Sequence, residues 1–243
     1  MSLRKVSVSL QGRFGNQMFQ YAFARAYAKR ENAELLCPEW VGEKIFKISH
    51  RRPQRNLEPS RRNEETFAFS ETGVEFRGYF QNQRSMIYTR AEARGWFEFR
   101  PEVKAKLDRI QFTDDRAVAH RCVGDYAGYG YPVVSLKSYH DFLTRFGAWD
   151  CTFVTEEEPW REKEFTGELE FLPDFFRLMR AEVLLRGNSS FSWWASVLGD
   201  ARTFSPVVAG LEGGREHHCE FVEGNHPRFC NLDFCTDLRL PEQ

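Results

Sequence analysis

The stretch Arg186–Ser196 has the residue types and spacing of a phosphate-binding turn. The apolar run Val183–Leu185 precedes it, and Gly187 bounds that run, which predicts a short buried strand. An Asn and small hydroxyl residues follow, and then an apolar segment of helical length. Such a strand-to-helix turn presents hydroxyl groups and backbone N–H donors at the positive end of a helix dipole, where a phosphate binds well. The same residues also fit an ordinary helix cap formed by Ser189 or Ser190, and the local sequence leaves both interpretations open.

Composition restricts the class of protein. The 243 residues allow one large or two modest domains, and 42% hydrophobic with 28% charged residues are typical of a globular chain. The formal net charge of −1 provides no general field for nucleic acid or anionic membrane, so any phosphate must be bound locally. The aromatic content of 15% fits either a packed core or the floor of a sugar or base site.

The sequence contains no apolar run long enough to predict a transmembrane helix, and its start lacks the features of a signal peptide. Six scattered cysteines favour reduced thiols, so a cytoplasmic location is expected. A peripheral contact with a membrane-linked glycan stays open. A zinc site is a weak alternative because the spacing of its candidate ligands fits no familiar pattern. Those ligands are His217, His218, Cys219, Cys230 and Cys235.

Alternating elements predict two α/β domains with mostly parallel sheets, 1–112 and 113–243. Strands are expected at 6–10, 34–37, 76–82, 116–120, 151–154, 183–185 and 202–205. Helices are expected at 16–29 with one apolar face, at 83–94 and 101–109, from a Ser138 cap to 146, from Pro173, and after Ser190. The polar segment 49–72 predicts either a mobile loop framing an acceptor site or a solvated surface excursion.

Three loop motifs follow predicted strands, at 12–17, 120–125 and 188–192. Open α/β sheets bind ligands beyond the carboxyl ends of their strands, so two such domains predict a ligand cleft. The glycine-rich turn at 12–17 is neither a Walker P-loop nor a dinucleotide fingerprint, because it lacks the Gly-Lys-Ser/Thr run and the third glycine.

Five segments in order resemble glycosyltransferase family 11, the α-1,2-fucosyltransferases, and more distantly the α-1,6- and protein O-fucosyltransferases. The segments are Gly12–Ala22, Gly78–Gln81, His120–Tyr126, Asp174–Met179 and Asn188–Ala195. The resemblance covers residues 6 to about 208, and its first and last motifs are long and specific. It implies a GT-B fold, with two Rossmann-like domains facing a cleft, an N-terminal acceptor-side domain and a C-terminal GDP-sugar-binding domain. It also implies inverting transfer of L-fucose from GDP-fucose to a galactoside glycan, without a metal.

A metal-free transferase must stabilise the departing diphosphate with arginine, hydroxyl and helix-terminus donors. Asp114-Asp115 does not form the Asp-x-Asp metal motif of GT-A enzymes. The resemblance implies that Ser189, Ser190 and the backbone through Phe191 hold the diphosphate, with Phe191 packing against the nucleotide.

Other contacts follow from the same resemblance. It implies that His120 and Asp174 contact the guanosine. Asn16 and the flanking glycines, Gly12 and Gly15, are expected at the cleft, near the sugar or the β-phosphate. Arg13 belongs to the same turn, where a structural salt bridge is an equal alternative.

One departure from the family pattern is important. The family has His-x-Arg-Arg-Gly-Asp-Tyr, whose first arginine binds the β-phosphate, whereas Cys122 and Val123 stand at the two arginine positions here. Arg121 stands one place earlier, on the opposite face of the strand, unless a bulge or a one-residue shift restores it. We favour Arg121 as the functional cation, because an uncompensated diphosphate is costly. Asp125 is a candidate base or a loop brace, and the acidic run 156–158 reads better as a solvated helix start.

Two other functions remain open at this point. The altered arginine motif fits a catalytically impaired relative that binds glycan or nucleotide. The same architecture also suits a transferase that uses another sugar nucleotide.

Overall fold

The computed structural model describes residues 4–53, 58–59, 73–112, 116–124, 126, 128, 130–147, 150–156 and 159–224. The chain divides into two compact units, within Met1–Pro101 and Glu102–Arg239. The sequence-based boundary after residue 112 lies later, because the segment after Pro101 groups with the second unit. Alternating helices and parallel strands in both units confirm the α/β class.

The first unit contains a four-stranded parallel sheet in the order β2-β1-β4-β3. Its strands are β1 Lys5–Val8, β2 Glu34–Leu36, β3 Glu58–Pro59 and β4 Val74–Phe76. Its helices are α1 Phe14–Arg30, α2 Gly42–Ile45 and α3 Arg90–Trp96, with a 3-10 turn at Gln83–Ser85. The first glycine-rich motif, 12–17, therefore covers the end of the β1–α1 loop and the first turn of α1.

Helix α1 differs from the one-sided amphipathic helix that its sequence predicts. Every residue from Met18 to Ala28 except Arg25 is buried. The outer face is covered by aromatic side chains from later in the chain, and the ring of Tyr21 lies 5.3 Å from Trp40 and 5.6 Å from Phe97. Local periodicity could not reveal this cover, because it comes from distant residues.

The second unit contains a five-stranded sheet in the order β11-β9-β8-β5-β7, antiparallel only at β11. Its strands are β5 Ala117–Arg121, β7 Cys151–Thr155, β8 Val183–Leu185, β9 Arg202–Pro206 and β11 Phe221–Glu223. Two further strands, β6 Val133–Val134 and β10 Glu216–His217, form a separate parallel pair. The helices are α4 Pro101–Leu107, α5 Leu136–Phe146, α6 Leu172–Arg180 and α7 Ser190–Leu198, with a 3-10 turn at Gly167–Leu169.

The two faces of this second sheet carry different helices. Ala117, Ala119 and Leu185 pack in one buried cluster with Tyr139 and Phe142 of α5. Helices α6 and α7 contact each other, and α6 also contacts β5. Because side chains alternate along a strand, consecutive residues at the end of β5 point to different faces.

Two helix boundaries differ from the sequence-based expectation. Ser135, not Ser138, caps α5, and its hydroxyl accepts a hydrogen bond from the Ser138 backbone N–H at 3.4 Å. The helix expected at 83–94 begins only at Arg90, because Thr89 forms a capping box with Glu92. Among the described residues, no helix is both long and apolar enough to cross a membrane.

Candidate active site

The start of α7 is a capped helix terminus. The Ser189 hydroxyl accepts a hydrogen bond from the Phe191 backbone N–H at 3.2 Å, which makes Ser189 the helix cap. Ser189 is buried, whereas Ser190 and Phe191 in the first turn are partly exposed. The terminus therefore combines a fixed geometry with an accessible positive end, which suits an anion.

Gly187 allows the ends of β5 and β8 to approach closely. A Cβ atom at this position would lie 2.7 Å from the carbonyl oxygen of His120 and 3.1 Å from its Nδ1. The Tyr139 hydroxyl donates to the same His120 carbonyl at 2.9 Å and fixes it from the α5 side. The turn before α7 is thus packed directly against His120.

His120 is a neutral, buried imidazole beside this turn. Burial, together with the smaller effect of the Arg186 positive charge, lowers its pKa to about 3. Its ring lies 5.6 Å from that of Phe191, and its Nδ1 has no hydrogen-bond partner in the described part of the chain. A buried polar atom without a partner is costly, so Nδ1 is suited to a ligand that supplies the missing hydrogen bond.

Asp174 lies in an open cleft of about 490 Å³ near the start of α6. The cleft is lined by Thr152, Phe153, Val154, Pro159, Trp160, Arg161, Asp174 and Arg177. The Trp160 backbone N–H lies 3.2 Å from each carboxylate oxygen of Asp174. Burial raises the pKa of Asp174 to about 6. At neutral pH this buried carboxylate is an acceptor for the N–H groups of a nucleobase.

The wall of this cleft is aromatic and cationic. The Arg177 guanidinium lies 4.9 Å from the ring of Trp160 and 5.3 Å from that of Phe112, and its Nη2 donates to the Thr152 hydroxyl at 2.9 Å. Phe175, which follows Asp174, packs its ring 5.1 Å from Phe191. The cleft and the start of α7 are therefore joined through one packed layer.

Arg121 is engaged on the other side of the sheet from His120. Strand β5 pairs with β7 residue by residue from Ala117 to Arg121, so β5 contains no bulge or shift that would turn Arg121 round. The Arg121 Nη2 lies 2.5 Å from the Glu216 carboxylate on β10. This carboxylate neutralises Arg121, and its role toward phosphate stays a prediction.

In the first unit, the glycine-rich turn is built around Asn16. Gly12 has a φ of +75°, and a Cβ there would lie 2.6 Å from the Asn16 side-chain nitrogen. The Asn16 amide oxygen accepts a hydrogen bond from Gln81 at 2.8 Å. Phe80 reaches this arrangement with a φ of +52°, which is unusual for an aromatic residue, and its ring stacks on Phe23 at 4.1 Å. The strained turn thus aims Gln81 at Asn16.

The neighbouring residues of this turn take different positions. Arg13 is exposed and is the N-cap residue of α1, with no capping hydrogen bond from its side chain. Gly15 is buried in the first turn of α1, because the helix begins at Phe14 rather than at Asn16 or Gln17. Gly12 forms the turn, and the placement of Gly15 near the sugar or the β-phosphate stays a prediction.

Some sequence-based candidates fall elsewhere. Asp125 lies outside the described residues, as do Cys230 and Cys235. Within the described ranges, no group of three or more His, Cys, Asp or Glu side chains is arranged to hold a metal. Cys37, Cys122, Cys151 and Cys219 are free thiols.

Several solved structures that share this architecture are fucosyltransferases. No protein-family model and no curated protein matches the chain. NodZ α-1,6-fucosyltransferase co-crystallised with GDP superimposes with a TM-score of 0.58 at 15% identity, over 93% of this chain and 100% of that one. NodZ soaked with GDP-fucose gives 0.53 at 17% identity, over 91% and 99% of the two chains. A mutant of Arabidopsis thaliana FUT1 in complex with GDP gives 0.51 at 11% identity, over 90% and 74%.

The chain has the fold of these enzymes. The GT-B class with two Rossmann-like domains, inferred from the sequence, is confirmed by this likeness together with the two parallel sheets. At these identities the likeness establishes the fold, and the activity has to be argued from the site.

Three residues at the site were missed from sequence. Arg186 follows a short apolar strand and is only 1% exposed. Trp160 stands in a polar segment yet forms a wall of the cleft, and Gln81 carries the contact to Asn16. Two of them had a signal, since Gln81 ends one of the five motifs that resemble the fucosyltransferases and Arg186 opens the stretch interpreted as a phosphate-binding turn, but neither was assigned a role.

Proposed function

We propose that the protein is an inverting fucosyltransferase that transfers L-fucose from GDP-fucose to a hydroxyl of a galactoside glycan, without a metal. Within this proposal the family is glycosyltransferase family 11 and the linkage is α-1,2. The fold of fucosyltransferases that bind GDP or GDP-fucose supports the donor class. The linkage and the galactoside acceptor rest on the sequence motifs alone.

One observation carries the proposal: a helix start suited to an anion and a cleft suited to a base lie in one packed layer of the second unit. Ser189 fixes the start of α7, and Phe191 packs against both His120 and Phe175. Asp174 lies next to Phe175 and faces the cleft. A nucleoside diphosphate has the same two parts, a base and a charged diphosphate, joined by a ribose.

The carboxylate of Asp174 accounts for the choice of guanine. Guanine presents two N–H groups on its Watson–Crick edge, from N1 and N2, whereas the corresponding edges of cytosine and uracil present mixed or fewer donors. An ionised carboxylate accepts both hydrogen bonds and donates none. The unpartnered Nδ1 of His120 gives the guanosine a second contact.

The transfer itself is a displacement of the diphosphate by an acceptor hydroxyl. The α7 terminus, with Ser189, Ser190 and the Phe191 backbone, stabilises the charge that develops on the leaving GDP. Asn16, held by Gln81, and the Gly12 turn are proposed to act near the sugar. No cofactor is needed in this scheme, and Asp125 remains a candidate base or a loop brace.

The partners follow from the same chemistry. They are a GDP-sugar donor and an oligosaccharide acceptor, with no nucleic acid and with contact to membrane only through a membrane-linked glycan. A cytoplasmic location stays a proposal.

A thermal-shift series with GDP, UDP and CMP tests the donor class, since a ligand raises stability according to its affinity. Of the three nucleotides, we expect only GDP to raise the melting temperature, and we expect the same increase when EDTA is present. If UDP or CMP raised the melting temperature and GDP did not, the donor nucleotide would contain uracil or cytosine rather than guanine. A GDP shift that disappears in EDTA would contradict the metal-free scheme.

A second candidate is a catalytically impaired relative that only binds. The observation that favours it is the 120–126 loop, where Cys122 and Val123 replace two arginines and Arg121 is engaged by Glu216. Binding of GDP without turnover of GDP-fucose, over a panel of galactoside acceptors, would select this function over the transferase.

A further inference from the structure

We propose that Arg186 supplies the positive charge of the diphosphate subsite, in place of the arginine pair that the 120–126 loop lacks. This inference rests on the proposed function, because it concerns the same GDP site. The arginine that binds the diphosphate would then follow β8, whereas in the family that this sequence resembles it follows the strand corresponding to β5.

The first argument is position. Arg186 directly follows β8 and stands two residues before Asn188, at the turn that leads into α7. Its backbone N–H continues the sheet ladder by donating to the Phe204 carbonyl at 2.9 Å. Leu185 belongs to the α5-side cluster, so strand alternation directs Arg186 toward the α7 side.

The second argument is charge. The Arg186 guanidinium is close enough to His120 that its charge lowers the pKa of that imidazole. Burial lowers the pKa of Arg186 itself to about 9, with the Tyr126 and Tyr139 phenols acting in the opposite direction. Arg186 therefore remains a cation at neutral pH while lying 1% exposed beside the start of α7.

The third argument is the cost of this burial. A guanidinium removed from water requires hydrogen bonds and negative charge around it, and it gains from any further anion that approaches. The field of a buried charge is also weakly screened by solvent and salt. A diphosphate at the α7 terminus would meet both the helix dipole and this charge.

Arg121 is the competing cation, and its surroundings differ. It lies on the α5 side of the sheet and is paired with Glu216 at 2.5 Å. A phosphate would have to displace that carboxylate and reach round the strand. Arg186 lies on the α7 side of the sheet, and its strand leads directly into the turn before α7.

Comparison of GDP with guanosine tests the inference, because guanosine has the base and ribose but no phosphate. We measure both dissociation constants by calorimetry for the unmutated protein, Arg186→Met, Arg186→Lys and Arg121→Met. The control is Arg202→Met, which removes an exposed arginine of the neighbouring strand β9 that is paired with Glu223 of β11.

We expect Arg186→Met to raise the dissociation constant of GDP at least tenfold and that of guanosine less than threefold. Arg186→Lys should recover most of the lost GDP affinity, and Arg202→Met should change the affinity for neither ligand. Equal losses of GDP and guanosine would show that Arg186 is structural and would overturn the inference. Selective loss of GDP in Arg121→Met but not in Arg186→Met would also overturn it, in favour of Arg121.

Two further outcomes are separable. If Arg186→Met does not fold, Arg186→Gln gives the same comparison, and failure of both neutral variants beside a folded lysine variant would mark a structural charge and end the inference. If the unmutated protein binds no GDP, the proposed function fails. If it binds GDP and the neutral Arg186 variants keep the ratio of the two affinities, only this inference fails.

Discussion

Replacement of Asp174 by asparagine is expected to stabilise the protein and to weaken GDP binding at once. Asp174 is only 7% exposed, and its carboxylate accepts hydrogen bonds from the Trp160 backbone N–H. Asparagine has nearly the same shape and keeps one acceptor oxygen for this bond, but it carries no charge. The variant therefore removes the cost of burying a charge with little change in packing.

The size of the stabilisation follows from the pKa. Burial raises the pKa of Asp174 from an ordinary 3.8 to about 6. A difference of one pH unit corresponds to 1.36 kcal/mol, so the ionised form costs about 3 kcal/mol of folding free energy above pH 6. We expect Asp174→Asn to raise the free energy of unfolding at pH 8 by up to this amount.

The sign of the pH dependence is fixed by the raised pKa. The folded state holds the Asp174 proton more tightly than the unfolded state, so its stabilising contribution is complete below about pH 4 and is lost as the pH rises through 6. The advantage of Asp174→Asn over the unmutated protein should fall from about 3 kcal/mol at pH 8 to about half of that at pH 5. The asparagine side chain of the variant does not titrate, so the difference isolates this one group.

The effect on GDP has the opposite sign. A hydrogen bond to a charged group contributes about 1.5–3 kcal/mol, so loss of the carboxylate should weaken GDP binding roughly 10- to 100-fold. Improved stability together with weaker binding is typical of a residue retained for its ligand.

Urea unfolding at pH 5 and pH 8, with and without GDP, measures both effects on one protein. The matched control is Asp141→Asn on α5, where the carboxylate is exposed and Lys137 lowers its pKa. That variant should lose slightly in stability and bind GDP normally. Unchanged or lower stability of Asp174→Asn at pH 8 would refute the burial argument, and unchanged GDP affinity would remove Asp174 from the site.

Three other expectations follow from the geometry. Gly187→Ala should cost about 1–3 kcal/mol in urea unfolding and weaken GDP binding, because the methyl group meets the His120 carbonyl at 2.7 Å; unchanged stability would show that the turn has room. Gln81→Ala should slow fucose transfer at least tenfold but keep the GDP melting shift, since it releases Asn16; transfer at the normal rate would exclude this role. Guanosine affinity should fall below pH 6 in the unmutated protein but not in Asp174→Asn, because the pKa of Asp174 is about 6, that of His120 is about 3, and guanosine carries no phosphate that titrates in this range; calorimetry with guanosine at pH 5 to 8 checks this, and a transition kept in the variant would assign it to another group.

The elements that the sequence predicted well are those set by local signals. The strand before Gly187 and the cap at Ser189 are both found, since an apolar run, a glycine and a serine act within a few residues. The Ser138 cap failed because Ser135, three residues earlier, offers the same hydroxyl to the helix start. Strands β6 and β10 have only two residues each, which is too short for an alternating pattern to be recognised in the sequence, and only their pairing in the structure shows them.

The site was harder to predict, because burial and charge depend on distant residues. Arg186 opens the candidate phosphate-binding turn in the sequence, but only the packing of its neighbours shows that its side chain is buried. Arg121 reads as the substitute for the missing arginines, yet Glu216 lies far along the chain from it. The effect of burial on Asp174 likewise requires the position of Trp160.

Fucose transfer in the presence of EDTA tests the central claim most directly. The unmutated protein is incubated with GDP-fucose, EDTA and either lactose or N-acetyllactosamine, and the products are identified by mass spectrometry and NMR. The account predicts GDP release matched by a product with one added fucose on the galactose. Transfer that requires added Mn²⁺, or product formed only from another sugar nucleotide, would contradict it.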